Sequence, residues 1–248
     1  ITIYRNKDGK KADVVVDRLF LKEDTKEIWV YALDDDDIIE AIGAGKNRIK
    51  VRIIGGQNND IYDLEQGKSI SIYDHKSKEN TFKNKSGARI RLSDSYDRNL
   101  YDPKKSIIKS NVVTPAVGFN PDDGFKIGLQ NTYTVKGFNR NPNTRVHQFK
   151  GGYYFATRGF DLTYKGTFAG VFNQMNLTVK ARFSGPMFAE NFFGLGNETV
   201  NNDDDLEFDF NRIRLSELSG GIGVSYKGEY GSHLKGGIEV QSYQVEAD

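Results

Sequence analysis

Strict alternation of apolar and polar residues over a long stretch constrains this chain most. From Phe125 to Phe138 the odd positions Phe125, Ile127, Leu129, Tyr133 and Val135 are apolar or aromatic, while Lys126, Gln130, Thr132, Thr134 and Lys136 are polar. A β-strand sends successive side chains to opposite faces, so this stretch predicts one apolar face and one wet face. At roughly 14 residues it exceeds the usual 5–6 of a soluble strand and suits the 9–11 that a tilted strand needs to cross a bilayer.

The same pattern recurs through the second half. Val113, Pro115, Val117 and Phe119 share a face, as do His147, Phe149, Tyr153 and Phe155. Phe160, Leu162, Tyr164 and Phe168 form a further set, and Met175, Leu177, Val179, Ala181 and Phe183 another. Leu206, Phe208 and Phe210, with Ile213 and Leu215 in opposite parity, are read as one strand that bulges or changes face. Ile222, Val224 and Tyr226, then Leu234, Ile238 and Val240, complete about eight strands joined by turns too short for parallel crossovers. Such strands predict an antiparallel up-and-down sheet. In a soluble sandwich the apolar face turns inward; in a membrane barrel it meets lipid and the polar face lines a wet lumen. Strand length and the aromatics near strand ends (Phe119, Phe125, Phe138, Phe155, Phe183, Tyr226 and Tyr230) favour the barrel.

The first hundred residues repeat differently. Ile28-Trp29-Val30-Tyr31, Ile49-Lys50-Val51-Arg52 and Ser69-Ile70-Ser71-Ile72 open three units about 21 residues apart, each a strand, a polar turn and a shorter strand. This predicts a β-roll or β-helix over residues 1–105, with 83–105 as a linker in which Arg89–Leu92 makes at most one more strand. Gly55-Gly56-Gln57-Asn58-Asn59-Asp60 resembles one copy of the calcium-binding nonapeptide repeat, with Asn58 where that pattern has Gly. Asp34, Asp35, Asp36, Asp37, Asn59, Asp60 and Asp63 are the candidate calcium ligands if adjacent coils stack, since calcium takes six to eight oxygens. The same residue types are what tight turns need in any case. Gly43-Ala44-Gly45-Lys46 lacks the spacing of a phosphate loop and reads as a turn.

Composition removes several function classes. Lys and Arg number 35 against 34 Asp and Glu, which leaves no basic excess of the kind nucleic-acid binding needs. The absence of cysteine rules out disulfide frameworks and thiolate metal sites. His75, His147 and His233 stand in no ligand spacing, and no acid–base pair occupies a recognisable catalytic frame. No apolar run approaches the ~18 residues of a membrane helix. The chain opens at Ile1 without an initiator Met and ends just after a strand-like run, which reads as a fragment of a longer protein.

Residues 185–205 interrupt the strands with clustered Phe188, Phe192, Phe193 and Leu195 and the acidic run Asp203–Asp205. Within them Asn191-Phe192-Phe193-Gly194-Leu195-Gly196-Asn197-Glu198-Thr199 resembles the bacterial surface antigen family, the outer-membrane assembly-factor (BAM-type) barrels. Thr25–Asp37 with Ile49–Gly56 resembles the region that joins a calcineurin-like metallophosphoesterase to such a barrel in Bacteroidota proteins. The resemblance implies a Gram-negative outer-membrane location and a sixteen-stranded barrel, of which residues 106–248 would be the first half, following a periplasmic roll. It implies outer-membrane lipid, envelope assembly subunits and client outer-membrane proteins as partners, and a role in assembly, translocation or anchoring of a phosphoesterase. Thr157-Arg158-Gly159-Phe160 mimics the family's late Arg-Gly-Phe loop but falls too early, and reads as a hairpin turn. The alternative is a secreted or surface β-protein that binds calcium or glycan through Asp-rich turns. Neither reading makes these residues an enzyme.

Overall fold

A computed structural model of the chain describes residues 1–43, 49–121, 123–140, 142–172, 175–191, 195–196, 212–227 and 232–245. The fold is all-β apart from one turn of helix, with parallel sheets in its first part and antiparallel pairing elsewhere, including one sheet of seven strands. Contacts divide it into two compact units, Ile1–Lys104 and Lys105–Asp248.

The first unit begins with an antiparallel hairpin of β1 (Thr2–Lys7) and β2 (Lys10–Asp17). Its turn is Asp8-Gly9, both at positive φ (52° and 77°), the backbone that a two-residue hairpin turn requires. The sequence reading passed over this hairpin although Asp-Gly is a strong turn signal.

Next come β3 (Glu27–Tyr31), β4 (Ile38–Ala41), β5 (Lys50–Ile54), β6 (Ile61–Leu64), β7 (Ile70–Asp74), β8 (Thr81–Asn84) and β9 (Arg89–Leu92). They wind into a roll with two parallel sheets, ordered β3-β5-β7-β9 and β4-β6-β8. The core lies between the sheets. Val30, Ile53, Ile72 and Ile90 stack in register on one side. Ile39, Tyr62 and Phe82 stack on the other, where the Tyr62 and Phe82 rings are parallel at 5.0 Å.

Two expectations need correction. Ile28 pairs with Val51 and Val51 with Ile70, so the isoleucines at 28, 49 and 70 do not align; unequal turn lengths set the register instead of a fixed period. Residues 83–105 are not simply a linker, because β9 and the end of β8 continue the roll and Tyr96–Asn99 forms a helical turn, α1.

The second unit is a meander of β10 (Ile108–Asn120), β11 (Gly124–Lys136), β12 (Arg145–Tyr154), β13 (Phe160–Phe172), β14 (Met175–Asn191), β15 (Arg212–Lys227) and β16 (His233–Val245), each paired antiparallel with the next. Among the described residues the sheet is open: β10 and β16 are not joined. Seven strands stand where about eight were expected. Ile213 and Leu215 belong to the same strand as Ile222 and Val224, and Leu206, Phe208 and Phe210 lie outside the described residues. The expected parity change between Phe210 and Ile213 therefore falls outside the described residues on one side; within β15 the apolar set changes face, since Leu215 shares the face of Glu217, and a register irregularity sits on the partner strand between Ser184 and Met187.

Candidate functional site

The seven-stranded sheet separates its side chains by chemistry more completely than the strands read singly suggest. Residues directly opposite in an antiparallel ladder share a face. One ladder row runs Pro115, Leu129, Gly151, Leu162, Phe183 and Leu218 and ends on Ser242. Another starts at Asn111 and runs Tyr133, His147, Gly166, Val179, Ile222 and Ile238. Among the described side chains, the charged residues on this face stand toward strand ends, at Lys109, Arg145 and Arg214. Within the unit this face is bare among the described residues: Leu129 is 60%, Ile222 56% and Ile238 73% exposed. Monomeric soluble proteins rarely leave an apolar patch of this extent open to water.

Aromatic rings gather toward both ends of that face. Near the β10–β11 and β12–β13 turns, Phe125 lies 5.9 Å from Phe155, Tyr153 lies 5.2 Å from Phe155, and Phe160 lies 5.4 Å from Phe183. Toward the other end His147 sits edge-on to Phe168 at 5.3 Å, and its Nδ1 is 3.0 Å from the Tyr164 hydroxyl. Tyr164 leans across Gly166, so an aromatic ring covers backbone that a larger side chain would otherwise shield. The two turns at the first end are tied together. The Ala156 N–H donates to the Asp123 carbonyl, and the Thr157 hydroxyl donates to the buried Asp123 carboxylate. Thr157–Gly159 is therefore a hairpin turn, as its position predicted.

The opposite face is polar. Arg182 bonds both Asp161 (3.2 Å) and Glu217 (2.7 Å), and Lys180 lies 3.4 Å from Glu239. Lys126 donates to the Tyr154 hydroxyl at 2.7 Å.

In the roll, the candidate calcium residues occupy two columns along the coils. In one, the Asn59 N–H donates to the Asp36 carboxylate and the Glu79 N–H donates to the Asn59 side-chain oxygen, both at 3.0 Å. In the other, the Asp37 N–H donates to Asp60 Oδ1 (2.9 Å) and the Asp60 N–H to Asn80 Oδ1 (2.8 Å). Asp63 accepts from the Asn84 amide at 2.7 Å, while Asp34 and Asp35 are exposed in the preceding turn. The fold thus brings Asp36 to Asn59 and Asp37 to Asp60 across adjacent coils, while Asp34, Asp35 and Asp63 join neither column. Among the described residues no group of three or more His, Asp or Glu is placed to hold a metal ion. What the columns do is satisfy backbone N–H groups at the corner of each coil, which otherwise carry a cost when buried.

Sequence reasoning missed the buried group that completes this corner. The Tyr62 hydroxyl donates to Asp74 (2.6 Å) and lies 3.2 Å from Asp60, and all three residues are fully buried. Gly55 faces them, and a Cβ there would overlap both carboxylates and the hydroxyl. Burial, reinforced by Asp74 and Asp37 nearby, pushes the Asp60 carboxyl up to about 6; burial with Asp35 and Asp36 does the same for Asp37. Burial raises Asp74 as well.

A carboxyl whose pKa is higher folded than unfolded favours the fold while protonated. Its contribution is full below the unfolded value near 4 and is lost as pH rises through about 6. Asn at position 60 keeps the oxygen that accepts from Asp37 and removes the charge. Asp60→Asn should therefore stabilise the roll at pH 7 by about 1–2 kcal/mol, with the gain fading as pH falls from about 6 and gone below about 4. Denaturant titration followed by Trp29, the only tryptophan and a β3 residue, reads this directly. Equal stability of the variant and the parent at pH 7 would refute the charge account.

Compared with family models, with curated proteins and with solved structures, the chain has no match in any of the three.

Proposed function

We propose that the β10–β16 sheet is part of the wall of a transmembrane β-barrel in a Gram-negative outer membrane, with its apolar face against lipid and its polar face on a wet lumen. The supporting observation is the apolar face itself, which spans seven strands with Asn111, Asn131 and Ser242 among its polar interruptions and is open over most of its area. Strand height agrees. The 13 residues of β11 extend about 43 Å at 3.3 Å each, and a tilt near 45° brings this to about 30 Å, the thickness of a hydrocarbon core. Rings toward both ends fit the two membrane interfaces.

Direction in the sheet bears on closure. In a meander alternate strands reverse, so β10 and β16 point the same way. A fully antiparallel barrel containing this sheet needs an odd number of further strands.

In this reading the chain works without a catalytic residue. It serves in assembly or translocation of envelope proteins, or as an anchor that holds the roll and any phosphoesterase joined to it at the periplasmic side. The likeness of Asn191–Thr199 to the surface antigen family supports this reading; most of that motif lies outside the described residues, as do Asp203–Asp205 and Gly45-Lys46. Fractionation tests the proposal. The chain should sediment with membranes, survive an alkaline carbonate wash and need detergent for release. A monodisperse species in plain buffer contradicts it and favours the secreted, surface-binding alternative.

A further inference from the structure

The polar face has an excess of positive charge that ion pairing does not absorb. Among the described side chains its acids, Asp161, Glu217 and Glu239, are all held by Arg182 and Lys180. Lys126, Lys136, Lys150, Lys165 and Lys235 share the face without an acidic partner among the described residues. The excess is sharpest on β12–β14. Lys165 stands directly opposite Lys180, and Lys150 directly opposite Thr163, whose other neighbour is Arg182. Like charges placed opposite each other on a ladder are destabilising unless something neutralises them. Beside them, β13–β16 border a trough lined by Thr163, Lys165, Lys180 and Arg182 and by Glu217 and Glu239; Arg182 and Lys180 are paired with these two acids and Lys165 is not. A surplus of one sign of charge over a low-dielectric wall concentrates counter-ions.

We propose that the basic strip of Lys150 and Lys165, at the edge of the trough where Lys165 faces Lys180, is a binding site for small anionic solutes bearing carboxylate or phosphate groups. It rests on the barrel reading, which makes this face a lumen. Lysines suit such a site: each is a mobile point charge with three donors, able to follow anions of varied shape without selecting one geometry. Thr163 adds a hydroxyl between two of the basic positions.

The chain has no cysteine, so one introduced thiol reports on one place. In the full chain reconstituted into vesicles, Thr163→Cys is treated with an anionic methanethiosulfonate carrying a sulfonate, or with a cationic one carrying trimethylammonium. Rates are normalised to a free thiol in solution. The anionic reagent should be favoured at least about fivefold at low ionic strength, and the preference should shrink as salt shortens the Debye length to about 8 Å and below. Lys150→Gln with Lys165→Gln should abolish most of it. Equal normalised rates, no reaction with either reagent, or a preference unchanged in the double variant would each overturn the proposal. Leu129→Cys separates this from the barrel reading. If Leu129→Cys resists both reagents, the wall assignment stands whatever Thr163→Cys does; if it reacts as fast as Thr163→Cys, the wall assignment itself fails.

Discussion

Leu129→Arg should destabilise the seven-stranded sheet by about 2–4 kcal/mol in lipid vesicles, whereas Thr132→Arg should be nearly neutral. Both positions lie near the middle of β11, but on opposite faces. Leu129 is 60% exposed, with Pro115 and Gly151 opposite it, so its removal opens no cavity. In a water-soluble sheet such a change to Arg falls within the roughly ±0.5 kcal/mol usual for surface positions. The large cost arises only if the exposed side faces hydrocarbon, where a guanidinium near the midplane cannot be hydrated. Guanidinium unfolding in vesicles measures the difference between the two variants, and a Leu129→Arg cost below about 1 kcal/mol would contradict the lipid-facing assignment.

Gly56→Ala should unfold the roll or destabilise it by about 3 kcal/mol or more. Two separate constraints meet at this residue. Its φ is +117°, where a side chain is strained, and a Cβ there would overlap the Leu33 carbonyl oxygen of the neighbouring coil. The obstacle is backbone within a stacked coil, so it cannot swing aside as the end of a long side chain does. Gly87→Ala is the control: its φ is +82°, but nothing lies within 4 Å of the added carbon, so only the conformational cost of about 1 kcal/mol applies. Trp29 fluorescence separates the two variants, and equal losses would show that the approach to Leu33 carries no weight. The Gly55-Gly56 pair that resembles a calcium repeat thus has a packing reason. One glycine makes room for the Asp60–Tyr62–Asp74 group, and the other for a neighbouring carbonyl.

The sheet was the most legible part of the sequence because its period of two is fixed by the strand itself. Phe125, Ile127 and Leu129 reach one face whatever the rest of the chain does. That the face extends over seven strands, with few polar interruptions, follows only from the registers, which turn lengths decide and single strands do not reveal. The roll was legible as a repeat but not in register. Its coils differ in turn length, so Ile28 meets Val51 and not Ile49. The Asp-rich turns show the limit most clearly. Asp36, Asp37, Asn59 and Asp60 carry oxygens at coil corners, and both a metal site and a hydrogen-bonded ladder call for oxygens there. In this fold the side-chain oxygens of Asp36, Asn59 and Asp60 meet the N–H groups of Asn59, Glu79 and Asp37, and Asp60 also meets the Tyr62 hydroxyl, while Asp37 Oδ2 is buried without a partner among the described residues. The basic strip was hidden for a related reason: Lys150, Lys165 and Lys180 are far apart in sequence and become neighbours only through pairing of β12, β13 and β14.

Lipid contact along β11 tests the central claim most directly. Single cysteines from Ile127 to Thr134, each carrying an environment-sensitive fluorophore, are measured in vesicles containing brominated lipid. Ile127, Leu129 and Tyr133 should be strongly quenched and blue-shifted, while Gly128, Gln130, Thr132 and Thr134 should be weakly quenched, giving an alternation of period two. Uniform quenching, or weak quenching at every position, would contradict a sheet with one face in lipid and one in water.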